Sequence, residues 1–238
     1  MSKFVRLSGI AMLCALTLCW ICFLPQKSEA EALHDKIFTL QMDEKTVCTI
    51  REYRYRIVDG ALVQEDEKGE TKILLFTDFD KPYMAVSQNA LALFCYPETY
   101  YFLYSMDSGK EIKVDTSIPI SGIKFSLKQQ LLVFSDTSGC LMLYSKDGKR
   151  ELKIESNWPI CDGAISSDGR RIAVIMFSAE VTGYKSEIFS VKTGRLLSSA
   201  YFSQAGALTC HMGKRTLFLY CGNQPIGYIK RGKFQLFS

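Results

Sequence analysis

Three stretches, YSMDSGKEI (104–112), YSKDGKREL (144–152) and FSVKTGRLL (189–197), are one phrase in three spellings. Each opens on an aromatic residue and serine, passes through a polar turn closed by glycine, and leads through a basic residue into a new apolar run. Glycine closes such turns because it enters the left-handed backbone region without a Cβ clash, and Asp and Ser favour them through local hydrogen bonds. The starts lie 40 and 45 residues apart, and a weaker copy, YIKRGKF (228–234), begins 39 residues after the third. A still weaker one precedes them over Val63 to Lys72, so the chain repeats with a period of about 40 residues.

A second pattern fills the space between copies, as IKFSLKQQLLVFSDTSGCLMLY from Ile123 and GAISSDGRRIAVIMFS from Gly163. Each contains a strand, a turn, an apolar strand and another turn. Short runs rich in Ile, Val, Leu, Phe and Tyr, broken by Gly-containing dipeptides, read as strands, and after residue 32 no long window carries a helical period. The stretch Ala30 to Lys36 is the one candidate helical turn. Four up-and-down strands per 40 residues is the arithmetic of a propeller blade, and the fold class expected is all-β.

The residues Ile165-Ser-Ser-Asp-Gly-Arg-Arg-Ile-Ala-Val174 resemble the F-S-P-D-G-K-x-L-A-V element of WD40-like and YVTN-like bacterial β-propeller repeats. Phe125 to Val133, followed by Ser135-Asp136, is a degenerate version, and the likeness spans roughly residues 79–238. The Trp-Asp pair and Gly-His dipeptide of true WD40 blades are absent, so their hydrogen-bond network is not carried over. The resemblance implies stacked four-stranded antiparallel blades, with loops at both ends that hold a protein or ligand.

About five such units fit the chain after an N-terminal signal or anchor helix: 36–78, 79–117, 118–156, 157–200 and 201–238. Five blades close as a small ring, or form an open arc that a partner completes. The first unit is unusual, because Arg51-Glu-Tyr-Arg-Tyr-Arg56 alternates as a solvated strand face does and Gln64 to Lys72 is a charged turn. It is therefore either a blade or a unit of another kind, the latter leaving room for a β-sandwich or other all-β ligand-binding domain.

Residues 1–32 follow another rule of composition. Lys3 and Arg6 precede an unbroken run of apolar and small residues from Leu7 to Leu24, which Pro25 ends, and small residues at Ser28, Ala30 and Ala32 suit signal-peptidase cleavage. The same run spans about 27 Å as a helix, close to the hydrocarbon thickness, so an uncleaved anchor through residues 7–24 is the alternative. Either way the positive flank places the remainder outside the cytoplasm, periplasmic or anchored to the inner membrane and facing the periplasm. Cys14, Cys19 and Cys22 lack the small preceding residue of a lipobox.

The charge of +4 comes from 29 basic and 25 acidic residues spread along the chain, which does not indicate nucleic acid. Six cysteines after the leader are dispersed, most of them within apolar runs, and read as buried thiols rather than a disulfide frame or metal site. Taking Gly213-Lys214 as a hairpin turn sets Cys210 opposite Leu217 and Cys221 four residues beyond, out of bridging range. Asp107, Asp147, Asp162 and Asp168 neighbour Gly or Ser and read as turn acids, and Cys210-His211 face opposite sides of a strand. No catalytic, cofactor or metal residue is nominated. Trp158, at a repeat boundary, reads as packing between blades.

The most interface-like feature is the aromatic group Tyr96, Tyr100, Tyr101 and Tyr104, since tyrosine is enriched at binding hot spots, although the alternation of Tyr100, Phe102 and Tyr104 equally suits an inner blade strand. The expectation is an exported envelope scaffold that binds a protein partner, not an enzyme. The alternative is an envelope hydrolase, glycosidase-like, on a five-bladed ring.

Overall fold

The computed structural model describes residues 38–178, 182–204, 206–222 and 224–237. The apolar runs are strands, and the Gly, Asp and Ser clusters between them are turns. After β1 (Phe38–Gln41), the first blade is β2 (Cys48–Ile50), β3 (Tyr53–Val58), β4 (Ala61–Glu65) and β5 (Thr71–Phe76). The second is β6 (Tyr83–Val86), β7 (Ala90–Phe94), β8 (Tyr100–Ser105) and β9 (Glu111–Asp115), and the third β10 (Gly122–Phe125), β11 (Leu131–Ser135), β12 (Cys140–Tyr144) and β13 (Arg150–Glu155). The fourth is β14 (Ile160–Ile165), β15 (Arg171–Ser178), β16 (Gly183–Ser190) and β17 (Leu196–Phe202). The fifth is β18 (Leu208–Met212), β19 (Thr216–Cys221), β20 (Gln224–Lys230) and β21 (Lys233–Leu236). In every blade the strands pair antiparallel in chain order, and β1 pairs with β6 to make the second sheet five-stranded. The candidate helical turn before Lys36 and the leader lie outside the described residues.

The first unit is a blade like the others. Its alternation reports two different faces: Tyr55 is 1% exposed and packs toward the second blade, while Arg54 and Arg56 lie on the opposite face with Glu65. Arg54 Nη2 meets Glu65 Oε1 at 2.6 Å.

The repeated phrases persist because their turns have to be made. Ser126 and Ser166, the serines of the second pattern, are buried because their hydroxyls cap the turn that follows. Ser126 Oγ accepts from the Lys128 and Gln130 amides, both at 3.1 Å, and Ser166 Oγ from the Arg170 and Arg171 amides at 3.2 and 2.9 Å. In the other phrase Ser145 Oγ accepts from the Lys149 amide at 3.2 Å, and Gly148 takes φ +75°. A Cβ on Gly148 would sit 2.8 Å from Val114 Cγ2 of the preceding blade. The glycine thus serves two needs, the turn and the approach of one blade to the next. Gly69, in the corresponding turn of the first blade, has φ +81° and nothing within 4 Å of where its Cβ would be.

Apolar side chains on facing sheets form four clusters, joining blades one and two, two and three, three and four, and four and five. Trp158 packs against the cluster between blades three and four, as a linker residue between blades. A fifth cluster, Phe218 and Tyr220 with Tyr228 and Phe237, lies within the last blade. Among the described residues no apolar cluster joins blade five to blade one, and on blade one Ile73 and Phe76 are 54% and 72% exposed.

One register differs from expectation. Gly213 N donates to Thr216 O, so the turn centres on Lys214-Arg215, and Cys210 pairs with Leu219, not Leu217. Cys221 is then two residues along rather than four, and both thiols are free. The slip keeps Cys210, Leu217 and Leu219 on the face buried against blade four.

Candidate functional site

In up-and-down blades the first and third turns lie at one end, here called lower, and the second turns and interblade links at the other, upper end. The four nominated tyrosines are divided by β8, which is buried on both faces. Tyr101 is 0% exposed in the cluster with blade three, edge-on to Tyr144, and Tyr104 is 5% exposed in the cluster with blade one. Tyr100 and Tyr96 reach the upper rim, Tyr96 at 48% exposure in the β7–β8 loop.

Tyr100 is pinned from three sides. Its hydroxyl donates to Asp78 Oδ1 at 2.9 Å, Phe79 lies 5.2 Å away between ring centroids, and Lys113 Nζ stands 3.6 Å over its ring. Burial, and then the Asp78 carboxylate, push its phenol up to about 12, so it stays protonated and serves as a donor. The same end of the first two blades exposes Val47 at 52% and Phe76 at 72%. The β1–β2 loop, the end of β5 and the β7–β8 loop thus expose Val47, Phe76 and Tyr96 at this end, Phe76 on the face of blade one turned away from blade two.

The acids stand where turns and one ion pair require them. Ser166 and the Arg170 amide donate to Asp168, and although burial opposes it, they hold its carboxyl below the usual range. Asp162 departs from the turn reading: it lies on β14, 2% exposed, where Lys124 Nζ on β10 meets its Oδ2 at 2.5 Å and the Cys210 amide on β18 donates to the same oxygen at 2.7 Å. Lys124 also donates to Cys210 O at 3.1 Å. Three first strands of successive blades are thereby tied by one carboxylate. Spacing in sequence carries no sign of this, because its members are 38 and 48 residues apart. His211 turns away from Cys210 to meet the Tyr220 ring edge-on.

A cleft of about 270 Å³ opens at the lower end between blades two and three. Leu103, Ile112 and Phe125 line it with Asp107, Lys110, Lys146 and Asp147 from the two glycine turns. Among the described residues no three His, Cys, Asp or Glu side chains gather as a metal site, and no helix is long and apolar enough to cross a membrane.

Five consecutive four-stranded antiparallel sheets, stacked face to face through apolar clusters, decide the architecture. The fold is that of a β-propeller. Solved structures agree: Kluyveromyces lactis Hsv2 superposes with a TM-score of 0.59 at 14% identity, over 84% of this chain and 73% of that one. A streptogramin B lyase gives 0.55 at 12%, over 86% and 74%, and Kuenenia stuttgartiensis hydrazine synthase gives 0.56 at 13%, over 78% and 62%. No family model and no curated protein matches the chain. Hsv2 is a seven-bladed propeller, and the share of it covered is close to five sevenths.

Proposed function

We propose that this propeller is an exported scaffold that holds a protein partner of the bacterial cell envelope against the upper end of blades one and two. One observation carries the reading: Tyr96, nearly half exposed, stands on the same rim as Tyr100, which Asp78, Phe79 and Lys113 hold in place. A pre-ordered aromatic surface loses little side-chain entropy on binding, which is why such residues anchor interfaces. The basic flank and apolar run of residues 1–24 support export, with the membrane touched only through residues 7–24 if the run is not cleaved.

The test is site-specific photo-crosslinking in intact cells. A photoreactive residue at position 96 is expected to capture one abundant envelope protein, identified by mass spectrometry, that the same residue at Gln129 on the lower end does not capture. Equal capture from both ends, or none from position 96, would move the binding surface elsewhere.

A further inference from the structure

The fold gathers at one end a charge that the sequence spreads along its length. Lys149, Arg195 and Lys233 each follow the glycine of a third turn, and Arg170, Lys214 and Arg215 stand in the first turns of blades four and five. Corresponding turns of successive blades fall at the same end, so these bases meet at the lower end although they lie far apart in the chain. The six lower turns of blades three to five with their flanking residues, 127–130, 145–150, 166–171, 191–195, 213–216 and 230–233, hold thirteen Lys and Arg against two Asp. At the upper end the described second turns and interblade links hold seven Asp and Glu against two Lys.

None of the thirteen bases forms an ion pair among the described residues. Arg171 Nη1 donates to Lys214 O at 3.1 Å, which draws the bases of blades four and five together rather than apart. Like charges held in this way repel one another, and an anionic surface laid against them relieves the repulsion. Leucines stand among them: Leu127 is 44% exposed beside Lys128, and Leu196 and Leu197, each 51% exposed, follow Arg195. The phosphates of a nucleic acid would pair with the bases but offer exposed leucine little, whereas a bilayer surface supplies headgroup charge to the one and an acyl boundary to the other. The direction of β1 agrees. It pairs antiparallel with β6, Phe38 opposite Val86 and Gln41 opposite Tyr83, so the chain enters its first strand from the lower end.

We propose that the lower end of blades three to five rests on an anionic lipid surface, its bases against headgroup phosphates and Leu127 and Leu196 at the headgroup boundary. The upper rim then faces away from the membrane, toward a partner. Membrane contact extends beyond residues 7–24, whether or not that run is cleaved, and only the identity of the membrane rests on the reading of export.

The test uses the full-length protein in lipid nanodiscs of phosphatidylcholine alone or with about one third phosphatidylglycerol. A photoreactive residue replaces Thr193 in the lower turn of blade four or Asn157 in the upper link before that blade, both exposed, and lipid adducts are measured by mass spectrometry. With phosphatidylglycerol, adducts at position 193 are expected to exceed those at 157, and those in phosphatidylcholine alone, by about fivefold or more. Raising the salt from about 0.1 M to about 1 M should return them to the phosphatidylcholine level. Arg170→Glu/Lys192→Glu/Lys214→Glu/Arg215→Glu should lower them to that same level with the thermal midpoint within a few degrees, because exposed turn residues are exchanged. Lys192→Arg/Lys214→Arg should leave them unchanged. Equal adducts with and without phosphatidylglycerol, equal adducts from both ends, or full adducts in the four-base variant would each overturn the assignment. Loss of the adducts on adding an equimolar short DNA duplex would overturn it too, in favour of a nucleic-acid surface. The discs hold no partner protein, so these outcomes are independent of capture at position 96.

Discussion

Asp162 shows how much one side chain ties together. Its carboxylate is out of contact with water and is held by an ammonium and an amide from two different blades. Burial alone pulls the Lys124 ammonium down, but the Asp162 charge outweighs it and the net shift is upward, so Lys124 stays protonated. Breaking such a pair strands a charge, whereas replacing both members with apolar groups removes the desolvation along with the attraction. Asp162→Leu and Lys124→Met are therefore each expected to lower stability by about 3–5 kcal/mol. The double variant Lys124→Met/Asp162→Leu should lose less than either single change, with the Cys210 amide as its remaining orphan. Urea unfolding of the four proteins measures this as a double-mutant cycle, and additive losses would mean that the two groups do not act as a pair.

At the scale of the turn and strand, the repeated glycines separate local conformation from contact between blades. Gly148 and Gly69 both hold positive φ, but an added methyl on Gly148 meets Val114 while one on Gly69 meets open space. Gly69→Ala should cost about 1 kcal/mol, the price of an L-residue in the left-handed region. Gly148→Ala adds overpacking against the neighbouring blade and should cost about 2–4 kcal/mol in all, read from denaturant midpoints. Equal losses would mean that the turn alone sets the requirement. The same distinction explains what the sequence made legible. The phrases at 104, 144 and 189 and the serines at 126 and 166 could be read because turn chemistry is satisfied within five residues, and they placed five blades. Even the degenerate copy keeps its backbone: Gln129 takes φ +62° where its counterpart Gly169 takes +69°. Asp162 could not be read, since its neighbours in sequence suggest a turn and its partners lie on other blades. Alternation did divide the tyrosines of β8, with Tyr100, Phe102 and Tyr104 on the face toward blade one and Tyr101 on the face toward blade three, but it could not say that both faces are covered.

At the scale of the molecule, the apolar clusters among the described residues join only blades that follow one another in the chain, so most of the packing is distributed along a line of interfaces rather than around one core. Blades two, three and four each pack on two sides, and the central tie of Asp162 adds a polar link among blades three, four and five. Blade one packs through a single apolar cluster, and its other face shows Ile73, Phe76 and the Arg54–Glu65 pair to solvent. Local opening should therefore begin there. Native-state hydrogen exchange is expected to show the amides of β3 and β4 exchanging well before those of β11, β12 and β15, with β19 between them. In a ring closed by a fifth interface blade one would be braced on both sides, and its amides would exchange with the rest. Uniform protection across blades one and three would therefore establish closure, whereas a gradient falling toward blade one would mark an open arc whose first face is left for another surface to cover.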